Sequence, residues 1–149
     1  MSSASLRHPL DILLIDDDAG DCRLVQESLR EGKHPAKVHV VNDGDAALAY
    51  LRGQGEHKKA TRPDLILLDL NMPKKDGFST LKDIRADRHL TDLPVIILTT
   101  STDEKDVQQS YRLHASCFVS KPSRIEDFGR VLKEIEAFWG GTARLPRPA

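Results

Sequence analysis

An apolar run of four residues, Leu65–Leu68, ends abruptly on the carboxylate of Asp69 and constrains the fold more than any other stretch. The run is too short for a helix and contains no polar residue, which is typical of a strand buried on both faces of a parallel sheet. The loop that follows contains Asn71, Pro73 and Gly77, residues that end regular structure. Open α/β folds bind ligands at the carboxyl edge of the sheet, so Asp69 is a candidate functional residue. The alternative is a solvated carboxylate that merely closes a strand.

The rest of the chain alternates strand patterns with helical ones. The predicted strands are Leu10–Ile15, Lys37–Val41, Leu65–Leu68, Leu93–Leu98 and Ser116–Ser120. The predicted helices run from an Asp18 cap to about Gly32 and over Ala46–Arg52, Phe78–Arg88, Thr102–His114 and Arg124–Phe138. This alternation predicts an α/β fold, a doubly wound, flavodoxin-like sheet of five parallel strands in the order 2-1-3-4-5 with helices on both faces. We expect one domain over residues 10–138, an N-terminal arm (1–9) and a tail (139–149) without helix or strand.

Acidic residues follow the first strand as well as the third. Asp16 and Asp17 come directly after Ile15, and strands one and three are neighbours in a sheet of this type. The two acids should therefore converge on Asp69, where three carboxylates resist ionisation together unless a cation neutralises them. An all-oxygen ligand set favours a hard divalent cation, and Mg²⁺ is the expected one. The alternative is that the acids only cap the first helix, a role that needs one residue, Asp18.

Two more polar residues end the remaining strands at this edge. Thr99 closes strand four with a hydroxyl, and Lys121 follows strand five with an ammonium group. Together with a metal ion and a carboxylate, these groups form a receptor for a tetrahedral dianion. The chemistry that this suggests is phosphoryl transfer onto Asp69, with stabilisation of charge providing most of the catalysis.

Composition limits the compartment and the partners. The formal net charge of −1 gives no basic field for nucleic acid. Cys22 and Cys117 lie far apart without metal-ligand spacing, as expected for buried thiols in a reducing cytoplasm. No stretch has the length of a membrane span or the pattern of a signal peptide, so we expect a cytoplasmic protein that does not bind membranes.

The combined motifs resemble the receiver domain of two-component response regulators over roughly residues 10–138. They comprise Asp16-Asp17, the block from Asp69 to Gly77, the strand ending at Thr99, and Lys121-Pro122. The resemblance implies that Asp69 accepts a phosphoryl group from a sensor histidine kinase. It also implies that Asp17, Asp69 and the Asn71 carbonyl ligate Mg²⁺ directly, and that Asp16 acts through water. Lys121 and Thr99 would bond the phosphoryl oxygens, Phe118 would be the aromatic switch, and the Lys121–Pro122 peptide bond would be cis.

The ends of the chain are similar to regulators paired with bacterial phytochrome kinases. This narrower resemblance rests on the polar loop 53–62, on Phe138-Trp139 and on Leu145-Pro146. It implies a phytochrome kinase as partner and a homodimer formed through the last helix and the tail. Apolar residues beyond the helix's inward stripe, among them Ile125 and Phe138, favour the same dimer; the alternative is a tail folded back on its own subunit. Only a short tail follows the last helix, so we expect no DNA-binding output domain.

Two other functions compete with a phosphoacceptor switch that is not an enzyme. An aspartate-nucleophile phosphatase of the haloacid dehalogenase type needs an acid two residues after its nucleophile, where Asn71 stands. A binding module independent of phosphorylation would be expected to lose the acids, Thr99 or Lys121, and all are present. For kinase docking we expect Ala19, Gly20, Arg23 and Glu27 on the first helix, with Pro122 and Ser123 beside the pocket.

Overall fold

The computed structural model describes residues 9–34 and 36–146. Its strands are β1 (Leu10–Ile15), β2 (Ala36–Val41), β3 (Leu65–Leu68), β4 (Val95–Thr99) and β5 (Cys117–Ser120). Its α-helices are α1 (Ala19–Arg30), α2 (Gly44–Leu51), α3 (Gly77–Ala86), α4 (Glu104–Arg112) and α5 (Ile125–Ala137). A 3₁₀ turn covers Gly55–His57, and a π-helical turn covers Phe138–Thr142.

All five strands are parallel, and they pair in the order β2-β1-β3-β4-β5. The predicted fold class and strand order are therefore confirmed. The central strands β1, β3 and β4 are almost wholly buried because helices cover both faces of the sheet. The pairing of Ile15 with Leu68 brings the ends of β1 and β3 to the same edge.

Alternation along each strand divides the core into two layers. Leu13 and Ile15 of β1 face the layer that contains residues of α2 and α3. Ile12 and Leu14 face the opposite layer, which contains residues of α1 and α5. Helix α4 is the exception, because Ser110 is its only buried residue. The other four helices therefore pack on the sheet through buried apolar residues, whereas α4, next to β4 and β5, has little apolar contact with the core.

An aspartate side chain caps the start of four helices. Asp18, Asp43, Asp76 and Asp103 each accept a hydrogen bond from a backbone N–H in the first turn. The predicted Asp18 cap is confirmed, and its partner is the N–H of Asp21 at 2.9 Å. These caps begin α1, α2, α3 and α4 immediately after the loops at the carboxyl edge, and so position the residues that follow the strands.

The expectation of a tail without helix is wrong, because the chain continues beyond α5 as the π-helical turn. Trp139 packs against the α1–α5 core layer, and the Ala143 N–H donates to the Phe138 carbonyl at 2.7 Å. A Cβ atom on Gly141 would lie 2.8 Å from Nε2 of His34, so the glycine permits a close approach rather than ending the helix. The division into arm, domain and tail stays a prediction, and residues 1–8 of the arm lie outside the described part of the chain.

Candidate functional site

Three carboxylates meet where β1 and β3 end. One oxygen from each of Asp16, Asp17 and Asp69 lies within 4.8 Å of the others. Asp16 and Asp69 are buried, whereas Asp17 is exposed. The Asp69 N–H donates to the Ile15 carbonyl at 3.0 Å, which continues the β1–β3 pairing into the site. The sequence prediction that these three residues converge is therefore confirmed.

The Lys121 ammonium lies among these carboxylates. Its Nζ atom is 2.7 Å from Oδ2 of Asp16, 2.8 Å from Oδ2 of Asp21 and 3.6 Å from Oδ2 of Asp69. Burial by itself lowers the pKa of Lys121, but the hydrogen bonds to Asp16 and Asp21 and the charges of Asp16 and Asp69 outweigh burial and raise the pKa above its ordinary value. The side chain therefore carries a positive charge in a buried position.

Asp16 lies deepest in the site, and its side chain is 1% exposed. Burial raises the pKa of Asp16 above its ordinary value. Two hydrogen bonds to its carboxylate act in the opposite direction, one from the Lys121 ammonium and one from the Asp18 N–H, which donates to Oδ1 at 2.9 Å. The sulfur of Cys22 lies 3.5 Å from the backbone carbonyl oxygen of Asp16. Burial is the main reason that the pKa of the Cys22 thiol rises to about 12. Asp16 is thus a buried anion whose charge depends on a cation beside it.

Thr99 ends β4 with a hydroxyl that lacks a hydrogen-bond partner among the described residues. The residue is completely buried, and its Oγ1 makes no hydrogen bond within the described part of the chain. Buried hydroxyl groups are normally hydrogen-bonded, and leaving one unsatisfied costs free energy. Its backbone is well held, since its carbonyl accepts from the Lys121 N–H at 2.6 Å and Thr99 pairs with Ser120. An unsatisfied hydroxyl on a rigid strand end can donate to a ligand at this edge.

The loop after β3 is held close to Asp69. The Gly77 N–H donates to the Leu70 carbonyl at 3.0 Å, and a Cβ atom on Gly77 would lie 2.4 Å from the Asp69 carbonyl oxygen. Only glycine fits at that distance, so Gly77 allows α3 to begin against the end of β3. Asn71 is exposed, and its N–H lies 3.4 Å from Oδ1 of Asp69. The metal-ligating role of the Asn71 carbonyl stays a prediction.

The residues at this edge fit a hard divalent cation. The donor set consists of carboxylate oxygens, which are the ligands that Mg²⁺ and similar cations prefer. The exposed Asp17 leaves the cluster open to solvent, so a bound cation could keep several of its waters. Within the described residues, this is the only group of three or more acidic, histidine or cysteine side chains close enough to hold a metal.

Comparison with known proteins agrees with this geometry. The family model described as "Response regulator receiver domain" matches residues 12–133. The chain belongs to that family. It is 44% identical over 138 residues to the response regulator Rcp1 of Synechocystis sp., covering 93% of this chain and 94% of Rcp1.

Solved structures of receiver proteins are similar over nearly the whole chain. The crystal structure of the phosphorylated cyanobacterial phytochrome response regulator RcpA superposes with a TM-score of 0.90 at 45% identity, covering 94% of this chain and all of RcpA. The Mn²⁺-bound form of Rcp1 gives a TM-score of 0.88 at 44% identity, covering 93% and 100%. The expected resemblance to phytochrome-associated regulators is confirmed.

The expected switching role of Phe118 in β5 and the expected cis bond after Lys121 have different outcomes. Phe118 packs against the α2–α3 core layer, and its N–H donates to the Tyr111 hydroxyl at 3.2 Å, so its switching role stays a prediction. The expected cis peptide bond between Lys121 and Pro122 is wrong, since no peptide bond among the described residues is cis. A trans bond suffices because the Lys121 ammonium already reaches Asp16 at 2.7 Å.

One contact of the receiver site escaped sequence reasoning. Asp21 is an acid in the first turn of α1, a position that is favourable for the helix dipole but does not by itself indicate a site residue. In the fold, this turn starts at the carboxyl edge, and the carboxylate of Asp21, five residues after Asp16, reaches Lys121. The available signal was position: an acid in the first turn of a helix that follows a site strand lies close to the site.

Proposed function

We propose that this receiver domain is a phosphoacceptor switch and that Asp69 is the accepting residue. A carboxylate oxygen of Asp69 attacks the phosphorus of a phosphohistidine; the P–N bond breaks, an O–P bond forms and the imidazole leaves. The single observation that carries this proposal is the buried Thr99 hydroxyl, which lies at the same edge as Asp69 and has no hydrogen-bond partner in the part of the chain that the structure describes. A phosphoryl oxygen would supply the missing acceptor.

The neighbouring residues then have distinct roles. Lys121 offers a fixed positive charge 3.6 Å from Asp69, and Thr99 donates to a phosphoryl oxygen. Asp17 and Asp69, with the Asn71 carbonyl, would hold Mg²⁺ directly, and Asp16 would act through water. When bound, Mg²⁺ supplies neutralisation of the charge on the transferring phosphoryl group.

We propose that the phosphorylated state persists and that the protein is a switch without enzymatic turnover. Asn71, two residues after Asp69, has no proton to exchange as a general acid or base, in contrast to the acid that aspartate-nucleophile phosphatases place there. A small phosphodonor with Mg²⁺ separates the possibilities. A switch gains one stable phosphoryl mass, a phosphatase releases phosphate continuously, and a binding module independent of phosphorylation does neither.

The site assignment is tested by intact-mass spectrometry after such treatment. Asp69→Asn should abolish the added mass, whereas Asp45→Asn, which removes an exposed acid from the first turn of α2, should leave labelling unchanged. Removal of divalent cations with a chelator should also abolish labelling. Undiminished labelling of Asp69→Asn would refute the assignment.

The proposed phosphoryl donor is a sensor histidine kinase. We propose that this kinase is a bacterial phytochrome and that the transfer takes place in the cytoplasm. Support comes from the similarity to RcpA, a cyanobacterial phytochrome response regulator. The proposed contact surface for the kinase is exposed: on α1 it consists of Ala19, Gly20, Arg23 and Glu27, and after β5 it includes Ser123. The small residues Ala19 and Gly20 would let a partner helix approach the pocket. Arg23→Glu should slow transfer from the kinase and leave small-donor labelling intact; unchanged kinase transfer would exclude this face.

We also propose that the chain forms a homodimer through α5 and the turn that follows it. Ile125 at the start of α5 is 69% exposed and Phe138 at its end is 51% exposed, whereas Val131 packs on the core of its own subunit. Trp139 and Leu145 also pack on their own subunit, which limits the proposed contact to the outer side of the helix. Phe138→Glu should convert the dimer to a monomer in sedimentation velocity, whereas Ala137→Glu, an exposed neighbour, should not. A wild-type chain that is monomeric at micromolar concentration would refute the dimer.

A further inference from the structure

The Lys121 ammonium is shared unequally among three carboxylates. Two of the contacts are short, 2.7 Å to Asp16 and 2.8 Å to Asp21, and the third, to Asp69, is 3.6 Å. An ammonium group has three N–H donors, so these two short bonds leave one donor for any other acceptor. Lys121 is therefore held mainly by the residues beside the phosphoacceptor and less by the phosphoacceptor itself.

Asp21 differs from the other acids of the site in what it touches. It does not belong to the trio whose oxygens lie close enough together to hold a metal. Its side chain is 29% exposed, and it contacts the pocket by accepting a hydrogen bond from the Lys121 ammonium. Its backbone is held in place, because its N–H donates to Oδ1 of Asp18 at 2.9 Å in the first turn of α1. Its charge therefore acts on the pocket through the ammonium group.

We propose that Asp21 is a positioning residue that competes with the phosphoryl group on Asp69 for the Lys121 ammonium and so shortens the life of the phosphorylated state. This inference rests on the proposed function of Asp69. A phosphoryl group on Asp69 brings oxygens with up to two negative charges, and each N–H that turns toward them stabilises those charges. In the loose, metaphosphate-like transition state of hydrolysis these oxygens carry less charge, so an added N–H stabilises the phosphorylated state more than the transition state and slows its loss. While Asp21 holds one of these donors toward α1, the phosphoryl group has a single N–H within reach.

Removal of the Asp21 charge should act in two ways that have the same sign. The ammonium becomes available to donate a second hydrogen bond to the phosphoryl group. The negative charge beside the phosphoryl dianion also falls by one, which reduces repulsion. A bond to a charged group that is partly exposed corresponds to roughly a three- to tenfold change in a rate.

The experiment measures the loss of the phosphoryl mass over time after the donor is removed, with Mg²⁺ present throughout. Asp21→Asn and Asp21→Ala should lose the phosphoryl group about three- to tenfold more slowly than the wild-type chain. Asp21→Glu, which keeps the charge, should decay at nearly the wild-type rate. Asp45→Asn is the matched control, because it removes an exposed first-turn acid from α2 and should leave the decay unchanged.

The outcomes separate this inference from the function on which it rests. The inference is supported if Asp21→Asn and Asp21→Ala lose the phosphoryl group more slowly and Asp21→Glu loses it at the wild-type rate. A merely structural role of Asp21 would lower stability without prolonging the phosphorylated state. Decay of Asp21→Asn at or above the wild-type rate overturns it, while labelling confined to Asp69 leaves the proposed function standing. Absence of labelling in the wild-type chain overturns both.

Discussion

Replacement of Thr99 by valine should make the protein more stable while it impairs the site. The two side chains have the same shape, and Thr99 is completely buried with a hydroxyl that has no partner among the described residues. An unsatisfied buried hydroxyl costs about 1–3 kcal/mol, so Thr99→Val should raise the free energy of unfolding by about 1–2 kcal/mol. The same change removes the donor to the phosphoryl oxygen, so small-donor labelling of Asp69 should slow by about tenfold.

A second buried threonine provides the matched control. Thr80 is also completely buried, but its hydroxyl donates to the Asp76 carbonyl at 2.9 Å. Thr80→Val loses that bond, so the free energy of unfolding should fall by about 0.5–1.5 kcal/mol. Both substitutions replace a hydroxyl with a methyl group at a completely buried threonine, and they contrast an unsatisfied hydroxyl with a satisfied one.

Equilibrium urea unfolding of the wild-type chain and both variants, without divalent cations or phosphodonor, measures the difference directly. The midpoint should move upward for Thr99→Val and downward for Thr80→Val, with unchanged slopes. If Thr99→Val is destabilised as much as Thr80→Val, its hydroxyl already has a partner in the resting protein, and the reasoning from Thr99 to a phosphoryl acceptor fails.

Three further predictions concern packing and thiol reactivity. Gly77→Ala should lower the free energy of unfolding by about 1–3 kcal/mol, because the new Cβ would meet the Asp69 backbone at 2.4 Å. Gly129→Ala lies in the interior of α5, where the new Cβ would meet no described atom within 4 Å beyond its chain neighbours and its own helix backbone, so it should raise the free energy of unfolding by about 0.5–1 kcal/mol. Chemical unfolding of both variants checks these signs. The Cys22 thiol is buried with its pKa raised to about 12, so a thiol reagent at pH 8 should label it only after unfolding. Rapid labelling of Cys22 in the native chain, distinguished from the partly buried Cys117 by peptide mapping, would contradict its burial.

Sequence reasoning recovered the parts of the fold that burial on both faces determines. The limits of β3 were predicted without error, because a continuous apolar run between Asp64 and Asp69 leaves no other choice. The limits of β4 were less accurate, since the buried Leu93 belongs to a turn in which its N–H donates to the Leu90 carbonyl. Apolar residues thus identify the core, but they do not by themselves separate a strand from a buried turn.

The candidate site was predictable where a strand end determined the position of a residue. Asp16, Asp69 and Thr99 follow from strand order and from the edge at which parallel strands end. The Asp21 contact depends on which way the long Lys121 side chain extends from β5, and no periodicity in the sequence encodes that direction. The π-helical turn was missed for a related reason, because the close approach of His34 explains Gly141 and is visible only in three dimensions.

The most direct test of the central claim is to locate the phosphoryl group by tandem mass spectrometry. The wild-type chain is treated with a small phosphodonor and Mg²⁺ and then reduced with borohydride, which converts an aspartyl phosphate to homoserine. We predict homoserine at position 69 and unmodified aspartates at positions 16, 17 and 21, with no conversion when a chelator replaces Mg²⁺. Homoserine at any of those three positions, or conversion that is unaffected by the chelator, would contradict a metal-dependent phosphoacceptor at Asp69.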